Sequence, residues 1–323
     1  MRVLLTGSSG WLGRHLAPLL SDHGHEVVGL DVAAGEHTAI VASVADRAAT
    51  DRAFATVRPQ AVVHAAALHK PDIARYPRQA FVDVNVTGTL NLLEGAVDHG
   101  CDRFLFTSTT SLMISRAIRE GRGDEAAWID ETLAPLMPRN VYGVTKLAAE
   151  RLCRLVHEEH GLPVLVLRTS RFFPEDDDTL RELSGENMKA NELLHRRLTV
   201  EDAADAHRVA LERAPALGFD TFIVSAPTPF ERRDAAELRR DARAAIARRF
   251  PDAPALYAAR GWRLPDAIDR VYDAGHAERR LGWRARTDFA ALLDALRGGH
   301  ALPIAHDPAY SSPKEAGVPS AAR

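Results

Sequence analysis

Tyr142 and Lys146, in the stretch NVYGVTK at 140–146, stand four residues apart. In a helix this spacing puts both side chains on one face, about one turn from each other. An ammonium beside a phenol favours the phenolate, and with a further cation nearby the ordinary tyrosine pKa of about 10 falls towards working pH. Tyr142 is then a general acid and base for the proton of a hydroxyl group. The same spacing also arises by chance on wet helix faces, so the pair needs company. FLFTSTT at 104–110 supplies it: an apolar run ends in a row of hydroxyls, Thr107, Ser108, Thr109 and Thr110, followed by Ser111. Such a row falls at the carboxyl edge of a parallel sheet, where these folds bind ligands.

A second constellation opens the chain. LLTGSSGWLGRHL follows a short apolar run and places Gly7, Gly10 and Gly13 in G-x-x-G-x-x-G spacing, with Trp11 and Leu12 inside the turn. A glycine-rich turn between strand and helix lets backbone amides and the positive helix end approach a pyrophosphate. Alone the spacing is weak, and a tight turn with a helix cap would explain it. The acid that ends the next apolar run, Asp31 in VVGLD, strengthens it. A carboxylate there accepts hydrogen bonds from ribose hydroxyls and repels a 2′-phosphate, and no Arg or Lys follows closely. The expected cofactor is NAD rather than NADP.

The elements that must hold these residues are read from alternation. Strands are expected at 2–6, 26–31, 38–42, 61–65, 103–108, 163–168 and 221–225, with helices at 11–23, 47–57, 78–99 and 141–160. This is the pattern of an α/β protein, a doubly wound, seven-stranded parallel sheet covered on both faces. Gly24, Gly100 and Gly161 stand where left-handed helix ends are wanted, and Pro18 should kink the first helix. After Arg168 the alternation stops. Helical pieces at 179–194, 200–213, 232–249 and 287–297 suggest a small, mostly helical C-terminal substrate lobe. The expected division is a cofactor domain at 1–170, to which 200–226 return, a lobe at 171–199 and 227–300, and a flexible tail at 301–323. The charged run 231–249 reads as a solvated helix face, with a phosphate or a partner as the alternative for its arginines.

Composition excludes several classes. Across 323 residues, 41 basic and 44 acidic side chains leave a net charge of -3 without a basic block, which argues against nucleic-acid or anionic-membrane partners. No apolar run approaches the 18 or so residues of a membrane span. Cys101 and Cys153 make no disulfide framework, and Met1-Arg2 runs into Val3-Leu4-Leu5 without a signal-type segment, so a cytoplasmic location is expected. His157 and His160 in HEEH lack metal-site spacing, and no metal is expected.

Taken together, TGSSGWLG, HAAA at 64–67, NVTGTLNLLE at 85–94, FLFTSTT, YGVTK at 142–146, LTVEDAADAH at 198–207 and LGW at 281–283 resemble the extended short-chain dehydrogenase/reductases, the NAD-dependent epimerase/dehydratase family. The resemblance runs from residue 2 to about 297 and implies a Rossmann sheet. It also implies that Tyr142 exchanges the proton of a substrate hydroxyl and that Lys146 holds the nicotinamide ribose and tunes Tyr142. A hydroxyl on the same substrate oxygen falls by position on Thr109, with Ser108 as the neighbour that could be confused with it. Ala65 and Ala67 would pass close to the cofactor, Asn85 would steady the elements beneath it, and Thr107 would join the cofactor site. The family also implies a homodimer through the long helices 78–99 and 141–160.

The departures from the family narrow the substrate. Thr110 and Ser111 replace the Asp-Glu pair of the dehydratases, which argues against 4,6-dehydration, and both hydroxyls are expected to face substrate. Ser43 replaces a common aspartate near the adenine, so recognition there is looser or falls to the backbone of Val44. Arg171 stands where an asparagine often faces substrate. It reads a carboxylate or phosphate, or else it pairs internally with Glu175 or one of Asp176 to Asp178. His69, with Lys70, reaches the substrate cleft or is plain loop. Only 23 residues separate Pro174 from Leu198, without a G-x-G-x-x-R stretch, and RTSRFFPE is similar to part of the uronate dehydrogenases. The expected activity is therefore hydride transfer to NAD from a secondary carbinol of a sugar-like small molecule. A nucleotide-sugar 4-epimerase is the alternative, and a non-catalytic NAD sensor the reading from another class.

Overall fold

Val3, Leu4 and Leu5 are fully shielded because a parallel strand in the middle of a doubly covered sheet has no wet face. They belong to β1 (Arg2–Thr6) of a computed structural model that describes residues 1–176 and 183–317. Eight further strands occur among the described residues: β2 (Glu26–Asp31), β3 (Ile40–Val41), β4 (Ala61–His64), β5 (Arg103–Thr109), β6 (Ala127–Ile129), β7 (Val164–Thr169), β8 (Phe219–Val224) and β9 (Arg270–Tyr272). Seven form one parallel sheet in the order β3-β2-β1-β4-β5-β7-β8. The chain winds outward in both directions from β1 and β4, which leaves a crevice at their carboxyl ends.

The helices are α1 (Trp11–Asp22), α2 (Arg47–Val57), α3 (Arg78–Val82), α4 (Gly88–Asp98), α5 (Arg116–Arg119), α6 (Val141–His160), α7 (Gly185–Glu192), α8 (Val200–Leu217), α9 (Ala235–Arg240), α10 (Ala242–Arg249), α11 (Ala253–Ala259) and α12 (Phe289–Gly298). On one face of the sheet, α1 and α8 bury Leu16, Leu20, Ala206 and Ala210 against Leu5, Leu105 and Leu167. On the other, α2, α4 and α6 bury Phe54, Leu92, Ala149 and Cys153 against Leu4, Val62 and Phe104. A separate cluster, including Leu193, Leu238, Ile246, Tyr257, Phe289 and Leu293, sits among the short C-terminal helices.

Several boundaries differ from expectation, each for a local reason. The strand expected at 38–42 shrinks to Ile40–Val41 at the sheet edge, because Thr38 closes a turn onto Gly35. The helix expected over 78–99 is continuous but contains a wider π turn, Asp83–Thr87, between α3 and α4. The run 232–249 breaks at Asp241, whose side chain instead caps α10 at Ala244. Of the helix expected at 179–194 only α7 is seen, and 179–182 lie outside the described residues. β6 and β9 pair as a small parallel sheet that three-residue runs such as AWI and RVY could not announce. No helix among the described residues is long and apolar enough to cross a membrane.

Candidate active site

β1 hands over to α1 through Gly7, whose φ of +79° suits only glycine. A Cβ there would lie 2.7 Å from the Ala66 nitrogen, and one at Gly13 only 2.2 Å from the Gly7 carbonyl oxygen. The two glycines thus let the turn, β4 and α1 close on each other. Gly10 is the N-cap of α1 and brings no side-chain bond. The first-turn amides, on Trp11, Leu12 and Gly13, are therefore left at the positive helix end for an anion. Asp31 is buried, its Oδ2 accepting from Ser9 N at 3.0 Å and its Oδ1 from Ala33 N at 3.1 Å. Both oxygens keep lone pairs for ribose hydroxyls, so the turn and the acid fit a dinucleotide.

One cleft of about 1640 Å³ takes in Gly7, Gly10, Trp11, Leu12, Gly13, Asp31, Val44, Ala65, Ala67, Thr107, Thr109, Tyr142 and Lys146. This exceeds the roughly 300–1,000 Å³ of a single small-molecule site and suits a cofactor with a second ligand beside it. Val44 forms part of the wall, with its carbonyl accepting from Asn91 Nδ2 at 3.0 Å. The Thr107 hydroxyl meets His207 Nε2 on α8 at 2.8 Å. Asn85 does not reach the cleft. From the π turn its amide clasps the Leu68 backbone at both N and O, each at 2.9 Å, and donates to Thr145 on α6 at 3.1 Å. It holds the loop after β4 onto α6, as a support rather than a cofactor contact.

α6 starts where the sequence predicts, because Asn140 accepts from Gly143 N at 2.9 Å, and it ends at Gly161 in the left-handed region. It delivers Tyr142 half-buried at the cleft and Lys146 buried one turn on. Thr109, at the end of β5, lies beside the Tyr142 hydroxyl, and its own Oγ1 accepts from Ser111 N at 3.1 Å.

The electrostatics run opposite to the sequence expectation. Burial pushes the Tyr142 phenol up to about 12, with Thr109 pulling down and the Asp72 charge adding to the rise. Burial pulls Lys146 down to about 7, against Cys153 and Glu150. The ammonium lies 3.9 Å from the centre of the Phe106 ring, so its neighbour is an aromatic face. Desolvation of both groups outweighs their mutual influence.

A lysine held below its ordinary 10.5 binds its proton less readily folded than unfolded. Its penalty is complete below the folded value of about 7 and is relieved as pH rises from there towards 10.5. Lys146→Met is therefore expected to raise the melting temperature at pH 7 by about 2–4 °C, the size of a 1 kcal/mol gain in a chain of this class, while turnover is lost. Calorimetry at pH 7 and 9.5 checks the sign, since the gain should shrink at the higher pH. An equal gain at both would remove the buried charge as its cause.

Of the three hydroxyls assigned to substrate, two have partners within the protein. Ser108 borders the cleft, but its Oγ donates to Glu150 Oε1 on α6 at 2.5 Å, and Glu150 is held bidentately by Arg168, with Nη2 to Oε2 at 2.7 Å. It ties β5, α6 and β7 together from below. Thr110 turns to the Thr169 carbonyl at 3.4 Å and is buried. Ser111 is half-buried on the cleft, while Ser108 and Thr110 border it as buried residues. Glu150 and Arg168 were not foreseen, although the four-residue rhythm Tyr142, Lys146, Glu150 was there to be read.

Arg119, Arg139, Arg171, Arg196 and Arg270 also line the cleft, and Arg139, Arg196 and Arg270 lie close enough to Tyr272 to feel its charge. Arg139 is pulled below its ordinary range by burial and then by Arg119 and Arg270, the mark of crowded like charges. Arg171 lies 4.0 Å from Glu192 on α7, an acid outside the set expected for it; Asp177 and Asp178 lie outside the described residues. Burial pushes Glu192 up, but Arg196, Arg197 and Arg171 outweigh it and hold the carboxyl at about 2. His69 lies on the cleft wall, tilted against Phe173 at 5.1 Å. Burial and then Lys314 pull it down to about 3, so it is neutral at physiological pH.

Among known proteins, a UDP-glucose 4-epimerase 2 of Oryza sativa subsp. japonica is 31% identical over 173 residues, 48% of this chain and 40% of that protein. A 3-beta-hydroxysteroid dehydrogenase of Mycolicibacterium neoaurum is 29% identical over 201 residues, 58% of this chain and 52% of its own. The chain spans about half the length of the curated relatives it matches. The crystal structure of the Thermus thermophilus UDP-glucose 4-epimerase in complex with NAD has the same fold, with a TM-score of 0.60 over 92% of this chain and 99% of that one at 22% identity. Residues 3–218, well over half of the sequence, match the NAD dependent epimerase/dehydratase family; the chain belongs to that family, and NAD is its cofactor.

Proposed function

We propose that the protein is a nucleotide-sugar 4-epimerase in which Tyr142 takes the proton from a secondary hydroxyl and returns it. The observation that carries this is the meeting of Thr109, Tyr142 and Lys146 in one cleft with the uncapped end of α1 and Asp31. Thr109, beside the phenol, is placed to share the same substrate oxygen. Bound NAD supplies a hydride acceptor and a positive ring. The cationic ring favours the phenolate, which offsets the rise that burial imposes on Tyr142. Lys146 is the group for the ribose hydroxyls, and its ammonium over Phe106 is poised to gain hydrogen-bond partners there. Thr110 and Ser111 bring no acid beside Thr109, so water elimination lacks its second proton carrier.

The arginines that line the cleft support an anionic substituent such as a diphosphate, and the names of the relatives support inversion at C4. A second reading, a dehydrogenase of a small sugar acid, is favoured by the 23 residues between Pro174 and Leu198, which leave little chain for gripping a nucleotide. Incubation with UDP-glucose, UDP-glucuronate and free uronates separates the two. Inversion at C4 without net NADH supports the epimerase, and stoichiometric NADH from a free uronate supports the dehydrogenase. Turnover of none of these sugars would sink both.

We further infer a homodimer through α6, on which Val144 and Leu155 are 51% and 46% exposed. Sedimentation equilibrium is expected to give twice the 35.3 kDa chain mass, and a monomer at micromolar concentration would remove the idea.

A further inference from the structure

Residues 306–317 return from the helical lobe across the cleft. Their path starts at Lys189, a fully buried lysine of α7 that donates to the Pro174 carbonyl and meets His306 Nδ1 at 2.8 Å. Asp307 N donates to Pro174 O at 2.9 Å. The segment then passes the glycine-rich turn, where Tyr310 meets Trp11 edge to face at 5.2 Å and Arg14 lies 4.8 Å over the Trp11 ring. It ends on the opposite wall. There Lys314 Nζ donates to Asp72 Oδ2 at 2.6 Å and to the Ala67 carbonyl at 3.2 Å, and Glu315 pairs with Arg75 at 2.6 Å. The segment thus touches both walls of the cofactor cleft, at Trp11 and at Ala67.

The latch end has a physical reason to matter. Asp72 is completely buried and also accepts from His69 N at 2.7 Å. Its neighbour His69 is neutral, so among the described residues the charged partner of this acid is Lys314, some 240 positions along the chain. A buried carboxylate without its counter-ion is strongly unfavourable, which makes the closed segment and the loop around Asp72 one unit. Asp72 also bears on Tyr142, so the latch screens a charge next to the phenol.

We propose that residues 306–317 form a strap that closes over the bound dinucleotide, with Lys314 as its latch and a positioning residue of the site. The strap must lift for the cofactor to enter or leave. The proposal rests on the assignment of NAD to this cleft and goes beyond it. Stopped-flow NADH fluorescence on the full chain tests it. For Lys314→Met, association and dissociation are both expected to quicken by about tenfold with a much smaller change in Kd, the signature of an opened gate. Lys314→Arg should restore slow exchange, which loss of a merely structural contact would not explain. Hydrogen exchange should show the amides of 306–317 protected by NADH in the unaltered protein and less so in Lys314→Met. Unchanged rates in Lys314→Met and in Tyr310→Ala would overturn the strap. Faster association with dissociation unchanged would also overturn it, because the segment would then compete with the cofactor. Failure of the unaltered protein to bind NADH would sink the cofactor assignment itself, and the strap with it.

Discussion

Tyr142→Phe is expected to lower turnover by about 10²–10⁴-fold, the contribution of a positioned general acid and base, while NAD stays bound. The substitution keeps the ring and removes one oxygen, so half-buried packing on α6 is preserved and the fold is not at stake. What goes is the atom that carries the proton. The effect should fall on kcat more than on KM, because the oxygen matters most while the proton is in flight. Cofactor binding measured by NADH fluorescence in the same variant should be within about twofold of the unaltered protein, since Gly7, Asp31 and Lys146 are untouched. Full turnover in Tyr142→Phe would mean that another group moves the proton and that the phenol is only a wall of the cleft. Lost NADH binding would mean that the tyrosine holds the cofactor rather than the reaction.

Glu150→Ala carries the largest expected cost in stability. Arg168 is buried and its Nε and Nη2 are both satisfied by Glu150, which also accepts from Ser108. Removing the carboxylate leaves a guanidinium without compensation in the core, a loss of roughly 3–5 kcal/mol from a total of about 5–15. Urea denaturation followed by circular dichroism reads this directly. The Glu150→Ala, Arg168→Met double variant should recover much of it, because then no charge is left buried. A single variant within about 1 kcal/mol of the parent would show that water reaches Arg168 and that the pair is not a closed unit. The pair sits under the joint of β5, α6 and β7 that carries Thr109 and Tyr142, so weakening it should also lower turnover.

How far the sequence carried this reading depends on the range of each signal. The central strand RVLLT, the glycines of the first turn, Asp31 and the whole of α6 were legible because their causes are local. An apolar run needs cover, Gly7 needs a positive φ, and Asn140 and Gly161 cap a helix from one residue away. Spacing within α6 was enough to put Tyr142 and Lys146 side by side, and the family followed from motifs that each span a few residues.

Which hydroxyl of Thr107, Ser108, Thr109 and Thr110 meets the phenol was not a local matter. It depends on the facing of β5 between α6 and α8, which sends Ser108 to Glu150 and Thr107 to His207 while Thr109 meets Tyr142. Proton affinities were misjudged for the same reason: from sequence Lys146 is a charge beside a phenol, whereas in the fold burial dominates both groups. The tail composition of Pro, Ser and Ala gave no sign that Tyr310 and Lys314 return to Trp11 and Asp72. Contacts between residues hundreds of positions apart leave no periodicity to read. They exist only once packing has brought a buried acid and a distant lysine to the same place, and that is the part of this protein that tertiary structure alone decided.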